Sequence, residues 1–508
     1  MLRKLRIIIS IPIFALLVLY FVDFSGFLPH SFRYLAKIQL IPALLALNFV
    51  ILGGLTLLTL IFGRVYCSAI CPMGFYQDIV SRLSGVFRKK KRFKYSRPLT
   101  VLRWSLVAVT VLAFLTGFHA LVGLLDPYSA FGRMTVHVFK PAYLAGNNLL
   151  AAIFTHFGNQ TFYKLSIYIA SVSTFVIALI TLLAIGWMAA VNGRIYCNSI
   201  CPVGTILGFI SRFSLLKIRI DEQLCNSCGT CGRKCKASCI DTKAHSIDYS
   251  RCINCFDCLE VCSKNAISFK YGVKKTSVNG TSEPGSQIDA SKRRFLMAAG
   301  VVSLAASTSF ADSKLLKGNR ITAKRKTPVS PPGSLSASHL LEKCTSCHLC
   351  VSKCPSNVIQ PAFTEYGLSG IMQPVLGFEH GFCNYDCTIC SDVCPSGALL
   401  PLTVAQKHQN QMGQVKFIIE NCIVFTDGTS CGACSEHCPT QAVSMVAYKG
   451  DLTIPQTDVN ICVGCGGCEY VCPATPNKAI YVEGIGKHNK IEIKTEKKEE
   501  VKVDDFGF

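Results

Sequence analysis

The apolar positions in the first part of the chain come in long, nearly unbroken runs rather than in alternation. Residues 7–22 and 38–62 are uncharged and apolar, and 99–122 and 167–191 supply two further runs. A helix that crosses a bilayer needs about 20 such residues. The pattern therefore predicts an α-helical membrane domain of four spans over residues 1–216. The first run is short, but Arg6 and Asp23 bracket it as a span's ends. Beyond residue 216 the runs shorten and polar residues interrupt them. Residues 273–290 are Gly-, Ser- and Lys-bearing and read as a linker, 314–340 as a basic, Pro- and Ser-rich tether, and 486–508 as a charged, disordered tail.

Charge orients the spans. The loop between the second and third runs carries Arg64, Arg82, Arg88, Lys89, Lys90, Lys91, Arg92, Lys94 and Arg97, whereas the loop over 123–162 carries only Arg133 and Lys140 near its start. Basic loops stay in the cytoplasm, so the N-terminus and the loop holding residues 82–97 are expected there. This placement also accounts for the net charge of +22 without a nucleic-acid partner.

One stretch occurs twice. Residues 63–85 read GRVYCSAICPMGFYQDIVSRLSG and residues 193–215 read GRIYCNSICPVGTILGFISRFSL. Each follows an apolar run and sets two thiols in a Cys-x3-Cys-Pro turn at the cytoplasmic face. Cys67, Cys71, Cys197 and Cys201 are candidate redox thiols, to be weighed against plain packing.

The 29 cysteines constrain the chemistry most. Two four-cysteine motifs lie in 217–272: Cys225, Cys228, Cys231, Cys235 and Cys252, Cys255, Cys258, Cys262. Four lie in 341–485: Cys344, Cys347, Cys350, Cys354; Cys383, Cys387, Cys390, Cys394; Cys422, Cys431, Cys434, Cys438; and Cys462, Cys465, Cys468, Cys472. Three closely spaced thiols followed by a distal fourth suit a [4Fe–4S] cluster, the fourth ligand commonly crossing to the partner cluster. In the first module Cys262 would then join Cys225, Cys228 and Cys231, and Cys235 would join Cys252, Cys255 and Cys258. The exchange among the last four motifs stays open, and Cys239 is left over. Structural zinc prefers two thiol pairs across a longer loop, often with His. The expectation is about six [4Fe–4S] clusters in two α+β, ferredoxin-like polyferredoxin domains.

Between the modules, residues 291–313 (SKRRFLMAAGVVSLAASTSFADS) pair basic residues with a short small-residue core ending at Ala311. The segment reads as a twin-arginine-like export signal or a fifth span. Cys344-Thr-Ser-Cys347-His348 matches a haem-attachment spelling but belongs to a four-cysteine motif. His30, His119, His137, His156 and Asp126 fall near the outer boundary and are weak candidates for proton uptake from a quinol.

Together, the spans, the duplicated YCxxxCP turns and the 217–272 module resemble the NapH-type membrane ferredoxins, and are similar to NosR and MauN. Residues from 291 onward, with CTSCHLCVSKCP, FEHGFCNYDCTICSDVCPSGAL and CGACSEHCP, resemble the NapG/MauM ferredoxins, so the chain looks like a fusion of the two. The resemblance implies a multi-pass inner-membrane electron carrier, with 217–272 cytoplasmic and 314–508 periplasmic. It would draw on the quinone pool and supply a periplasmic or membrane-anchored cytochrome or reductase, for nitrate, nitrous oxide or a similar acceptor. The alternative is an electron-supplying assembly or reactivation factor for a partner metalloenzyme.

Overall fold

The computed structural model describes residues 1–23, 26–87, 93–271 and 325–491. The twin-arginine-like segment and the linker beyond residue 271 lie outside the described residues.

The N-terminal region is helical. Helix α1 (Leu2–Val22) is followed by α2 (Arg33–Lys37), α3 (Leu40–Leu45), α4 (Phe49–Phe62) and α5 (Pro72–Phe87). Then come α6 (Thr100–Leu115), α7 (His119–Leu125), α8 (Pro127–Met134), α9 (Lys140–His156), α10 (Val172–Asn192) and α11 (Pro202–Ile210). Among the described residues, α1 and α10 are the two helices long and apolar enough to cross a membrane. The other two expected spans are broken. Leu47 takes a left-handed φ of 53°, and the Asn48 side chain accepts from the Ile51 amide to start α4 afresh. Gly117, at φ 77°, parts α6 from α7 in the same way. A capping Asn and a Gly inside an apolar run thus outweigh its hydropathy.

The stretch expected as an open outer loop is largely structured. Tyr128, Phe131, Arg133 and Met134 of α8 are each at most 1 % exposed. The Phe131 ring packs on Phe14 of α1 at 5.5 Å, and Tyr128 on Phe21 at 5.9 Å. Pro127 starts α8, and the Asp126 carboxylate accepts from the Tyr128 and Ser129 amides. The segment is a helix buried against α1, α5 and α10.

Both cysteine-rich modules are built on antiparallel strand pairs. In the first, β1 (Leu216–Ile220) pairs with β4 (Ile267–Tyr271), and β2 (Ile240–Asp241) with β3 (Ser246–Ile247). In the second, β5 (Ile359–Pro361) pairs with β6 (Pro374–Leu376) and β8 (Val443–Ala447) with β9 (Thr453–Thr457). The longest pair there is β7 (Asn410–Phe417) with β10 (Ile480–Lys490). The second module is larger than its cysteines suggest. Val329, Ser330 and Ser334, expected in the tether, are buried, and Arg325 pairs with Glu469. At the other end β10 continues into the expected tail, where Ile491 is buried and donates its amide to Gln409. Apolar residues at Val329 and Ile491 give those flanks a core to join.

The modules sit at opposite ends of α1, whose 21 residues span about 30 Å at about 1.5 Å per residue. At its start Arg3 pairs with Asp257 (3.0 Å) and Glu260 of the first module. At its end Asp23 pairs with Lys353 of the second at 2.9 Å, and Ser352 donates to the Phe21 carbonyl. Further contacts repeat the division. Arg64 and Arg103 donate to the Ser250 carbonyl of the first module (3.0 and 3.1 Å). Arg133 and Lys140 donate to the Ser346 and Ser352 carbonyls of the second (3.1 and 2.6 Å).

Candidate iron–sulfur centres

Backbone conformation converts spacing into geometry. In four motifs the residues just before and just after the second cysteine both take positive φ: Ser227 and Gly229, Asn254 and Phe256, Ser346 and His348, Gly464 and Gly466. These left-handed residues curl the chain around a centre, so that successive amides and thiols face inward as in an anion-binding nest. The Ser346 amide accordingly points at Cys344 Sγ, 3.4 Å away. The motifs that open with wider gaps, at Cys383 and Cys422, lack this pair of left-handed residues.

The fold then brings the fourth thiol in from a different motif every time. Cys225, Cys228, Cys231 and Cys262 line one cleft. Cys235 lies within electrostatic reach of Cys255 and Cys258. In the second module Cys394 faces Cys344, Cys347 and Cys350, while Cys354 faces Cys383 and Cys390. Cys438 lines a cleft with Cys462, Cys465 and Cys468, and Cys472 faces Cys434. Adjacent sets also lie within electrostatic reach of one another, Cys231 of Cys258, Cys350 of Cys390 and Cys383 of Cys465.

These groups fit a cluster better than a lone ion. Zinc at about 2.3 Å from each sulfur demands thiols about 3.8 Å apart. Among the described residues no three His, Cys, Asp or Glu side chains close on a single ion in that way. Burial pushes the Cys255, Cys347 and Cys465 thiols up to about 12, so each keeps its proton unless a cation sits beside it. Donors stand ready for charged sulfurs. The buried Lys407 ammonium lies 3.3 Å from Cys383 Sγ. The spare Cys239 lies 3.5 Å from Cys235 Sγ and also bonds Cys252; its own ionisation is held well above the usual thiol range by these two bonds. Cys239 therefore keeps its proton and has a single S–H to offer this pair. Neither Lys407 nor Cys239 carries a sequence signal for this role.

The four turn thiols are buried near the start of α5 and α11. The weaker proton-uptake candidates scatter. His137 is buried and hydrogen-bonded to His348 at 2.7 Å across the junction with the second module, and Asp126 is occupied as a helix cap. His119 is buried against Phe114, His156 is exposed beside Phe157, and His30 opens a short 3-10 turn. Among the described side chains, His119, His137, His156 and Asp126 form no common site. Sequence reasoning missed Arg133 and Lys140 as docking residues because they were read only as loop charge.

Comparison with known proteins agrees with this chemistry. A 4Fe-4S binding domain family matches residues 44–94 and 174–221, and 4Fe-4S dicluster domain families match 248–358 and 428–475. The methylamine utilization ferredoxin-type protein MauM of Methylobacillus flagellatus is 30 % identical over 183 residues, 34 % of this chain and 74 % of that protein. The ferredoxin-type protein NapF of Escherichia coli strain K12 is 25 % identical over 159 residues, 31 % of this chain and 88 % of that protein. The putative electron transport protein YccM of the same organism is 22 % identical over 262 residues, 50 % of this chain and 65 % of that protein. No solved structure matches. The chain belongs to the ferredoxin-type 4Fe-4S family that includes MauM, and is an iron–sulfur electron-transfer protein.

Proposed function

We propose that the chain carries electrons across the inner membrane, from the quinol pool to a periplasmic reductase system such as one for nitrate or nitrous oxide. The observation that carries this reading is the docking of one cysteine-rich module at each end of α1, about 30 Å apart by helix length. That distance matches the hydrocarbon thickness of a bilayer. The faces of the helical region support it too: Val50, Val101 and Trp187 are 85, 84 and 67 % exposed, on three different helices. A water-facing surface rarely leaves so much apolar area uncovered.

On this reading six sets of thiolates hold six [4Fe–4S] clusters. They are Cys225/Cys228/Cys231/Cys262 and Cys235/Cys252/Cys255/Cys258 in a cytoplasmic module. A periplasmic module would hold Cys344/Cys347/Cys350/Cys394, Cys354/Cys383/Cys387/Cys390, Cys422/Cys431/Cys434/Cys472 and Cys438/Cys462/Cys465/Cys468. A bound cluster supplies one-electron transfer. The protein's own part is to fix the order of the sites, to bury the ligand sulfurs, and to tune them with donors such as Lys407 and Cys239. The exchange of fourth ligands ties neighbouring sites together and keeps them close.

The test is direct. Reduced menaquinol or ubiquinol analogues, added to the anaerobically purified protein in detergent, are expected to bleach the cluster absorbance within the mixing time of a turnover assay. Absence of bleaching by both quinols removes the quinol-linked reading. Slow, substoichiometric bleaching, with a metal-depleted partner enzyme in a deletion strain, would favour the assembly-factor alternative.

A further inference from the structure

The helical region meets the second module closely at that module's first cysteine motif. Cys347 shares one core with Phe21 of α1 and Tyr128 of α8. A Cβ on Gly132 of α8 would stand 2.4 Å from the Cys347 carbonyl oxygen, and one on Gly123 of α7 would stand 2.6 Å from that of Thr345. These two glycines let the helices press on the loop that carries Cys344, Cys347 and Cys350. Lys140 and Asp23 hold the far end of the same motif, at Ser352 and Lys353.

Two buried side chains of α8 at this junction carry polar atoms that the protein leaves unused. Arg133 is 1 % exposed and donates through Nη1, to the Gly123 carbonyl at 3.0 Å and the Ser346 carbonyl at 3.1 Å. Its Nε and Nη2 have no hydrogen-bond partner among the described residues. Asp126 lies within electrostatic reach, but its two oxygens are taken by the Tyr128 and Ser129 amides and the Ser129 hydroxyl. The buried Tyr128 hydroxyl likewise has no partner among the described residues, and its electrostatic neighbours include Cys347 and Cys394. Those two thiols come from different motifs and belong to one proposed ligand set.

A buried guanidinium with unpaired N–H groups is costly, and so is a buried, unpaired hydroxyl. Docking accounts for Nη1 and leaves the rest of Arg133 unexplained. Both groups are donors, and both lie beside the same set of sulfurs. Donors so placed stabilise added negative charge, and more strongly in a buried site than in water.

We propose that Arg133, together with Tyr128, raises the reduction potential of the centre held by Cys344, Cys347, Cys350 and Cys394, and so makes that set the point where electrons enter the second module. This rests on reading that set as an iron–sulfur site. Reduction there adds one electron and no proton; in the proposed function it comes from oxidation of quinol to quinone, whose protons pass to water. Arg133 keeps its charge throughout and offsets the charge that is added. The entry role follows from place, since α7 and α8 press directly on this loop.

Potentiometric titration of the full-length, anaerobically purified protein, followed by electron paramagnetic resonance, tests this. Arg133→Met keeps much of the stem and removes the charge. It should lower one wave by about a tenfold change in the reduction equilibrium, about 59 mV for one electron, at unchanged iron. Arg133→Lys should leave that wave near its parent position. Cys347→Ser should abolish the same wave and remove about four iron atoms. The proposal is overturned if no wave moves in R133M, if the wave that moves survives in C347S, or if R133K shifts it equally. Should R133M lose iron, Tyr128→Phe decides instead: it deletes one hydroxyl, and the wave lost in C347S should fall by a smaller amount at constant iron. An unmoved wave in that variant refutes the proposal. Unchanged iron in C347S refutes something different, the reading of these four cysteines as a cluster site.

Discussion

Cys239 is the one cysteine that neither a motif nor a turn claims, and its position gives it a use. As a protonated thiol beside Cys235 and Cys252 it has one S–H to offer the sulfurs of one proposed site. Hydrogen bonds to cluster sulfur raise the reduction potential. Cys239→Ala should therefore lower the potential of one cluster in the first module, with iron content unchanged, when followed by potentiometric titration. Loss of about four iron atoms instead would make Cys239 a ligand. At this scale the four-cysteine motifs were legible in the sequence, and the groups that meet their sulfurs were not. Cys-x2-Cys-x2-Cys spacing states a ligand set outright, because three thiols that close must share a centre. Lys407, which reaches Cys383 from 24 positions away, carries no local pattern, since only the tertiary fold brings it near.

At the level of elements, hydropathy located the helices but not their breaks. The run over 38–62 is apolar throughout, yet Asn48 caps a new helix inside it; a cap depends on one side-chain bond that a window average dilutes. The buried α8 was hidden for the opposite reason. Its sequence, PYSAFGRM, is too polar for a span, and its burial comes from packing against α1 and from Arg133 meeting the Gly123 and Ser346 carbonyls. The duplicated turns were plain as a repeat, although their mutual approach was not. That approach explains two glycines. A Cβ on Gly204 would stand 2.2 Å from the Cys197 carbonyl oxygen and 2.8 Å from Arg64 Nη2; Gly74 meets Cys67 and Arg194 in the same way. Gly204→Ala must push α11 off its turn, and should cost about 1–3 kcal/mol. Thermal unfolding in detergent should show the loss in the helical region, while the cluster absorbance of the second module melts where it does in the parent. An unshifted transition would mean that the turn has slack.

For the whole molecule, two independent observations bear on which side of a membrane each part occupies. On the proposed orientation the basic loop after α5 would hold the ends of α4, α5 and α10 at the cytoplasmic side. The contacts assign the first module to those same ends, through Arg3, Arg64 and Arg103, and the second module to the far end of α1, through Asp23. Charge bias and docking share no residues except Arg3 and Arg64, so their agreement is informative. It also fits a buried charge network, Asp78 with Arg6, Arg194 and Lys236, which ties α1 and α5 to the first module. The prediction is that protease added to intact spheroplasts digests or releases residues 340–480, while 217–272 becomes accessible only after lysis. Antibodies against each module read the outcome. Protection of both until lysis would put every cluster on the cytoplasmic side, and α1 would then have to lie along the membrane rather than through it. The spacing of the modules at its two ends would in that case serve a different purpose, holding two redox centres apart on one face.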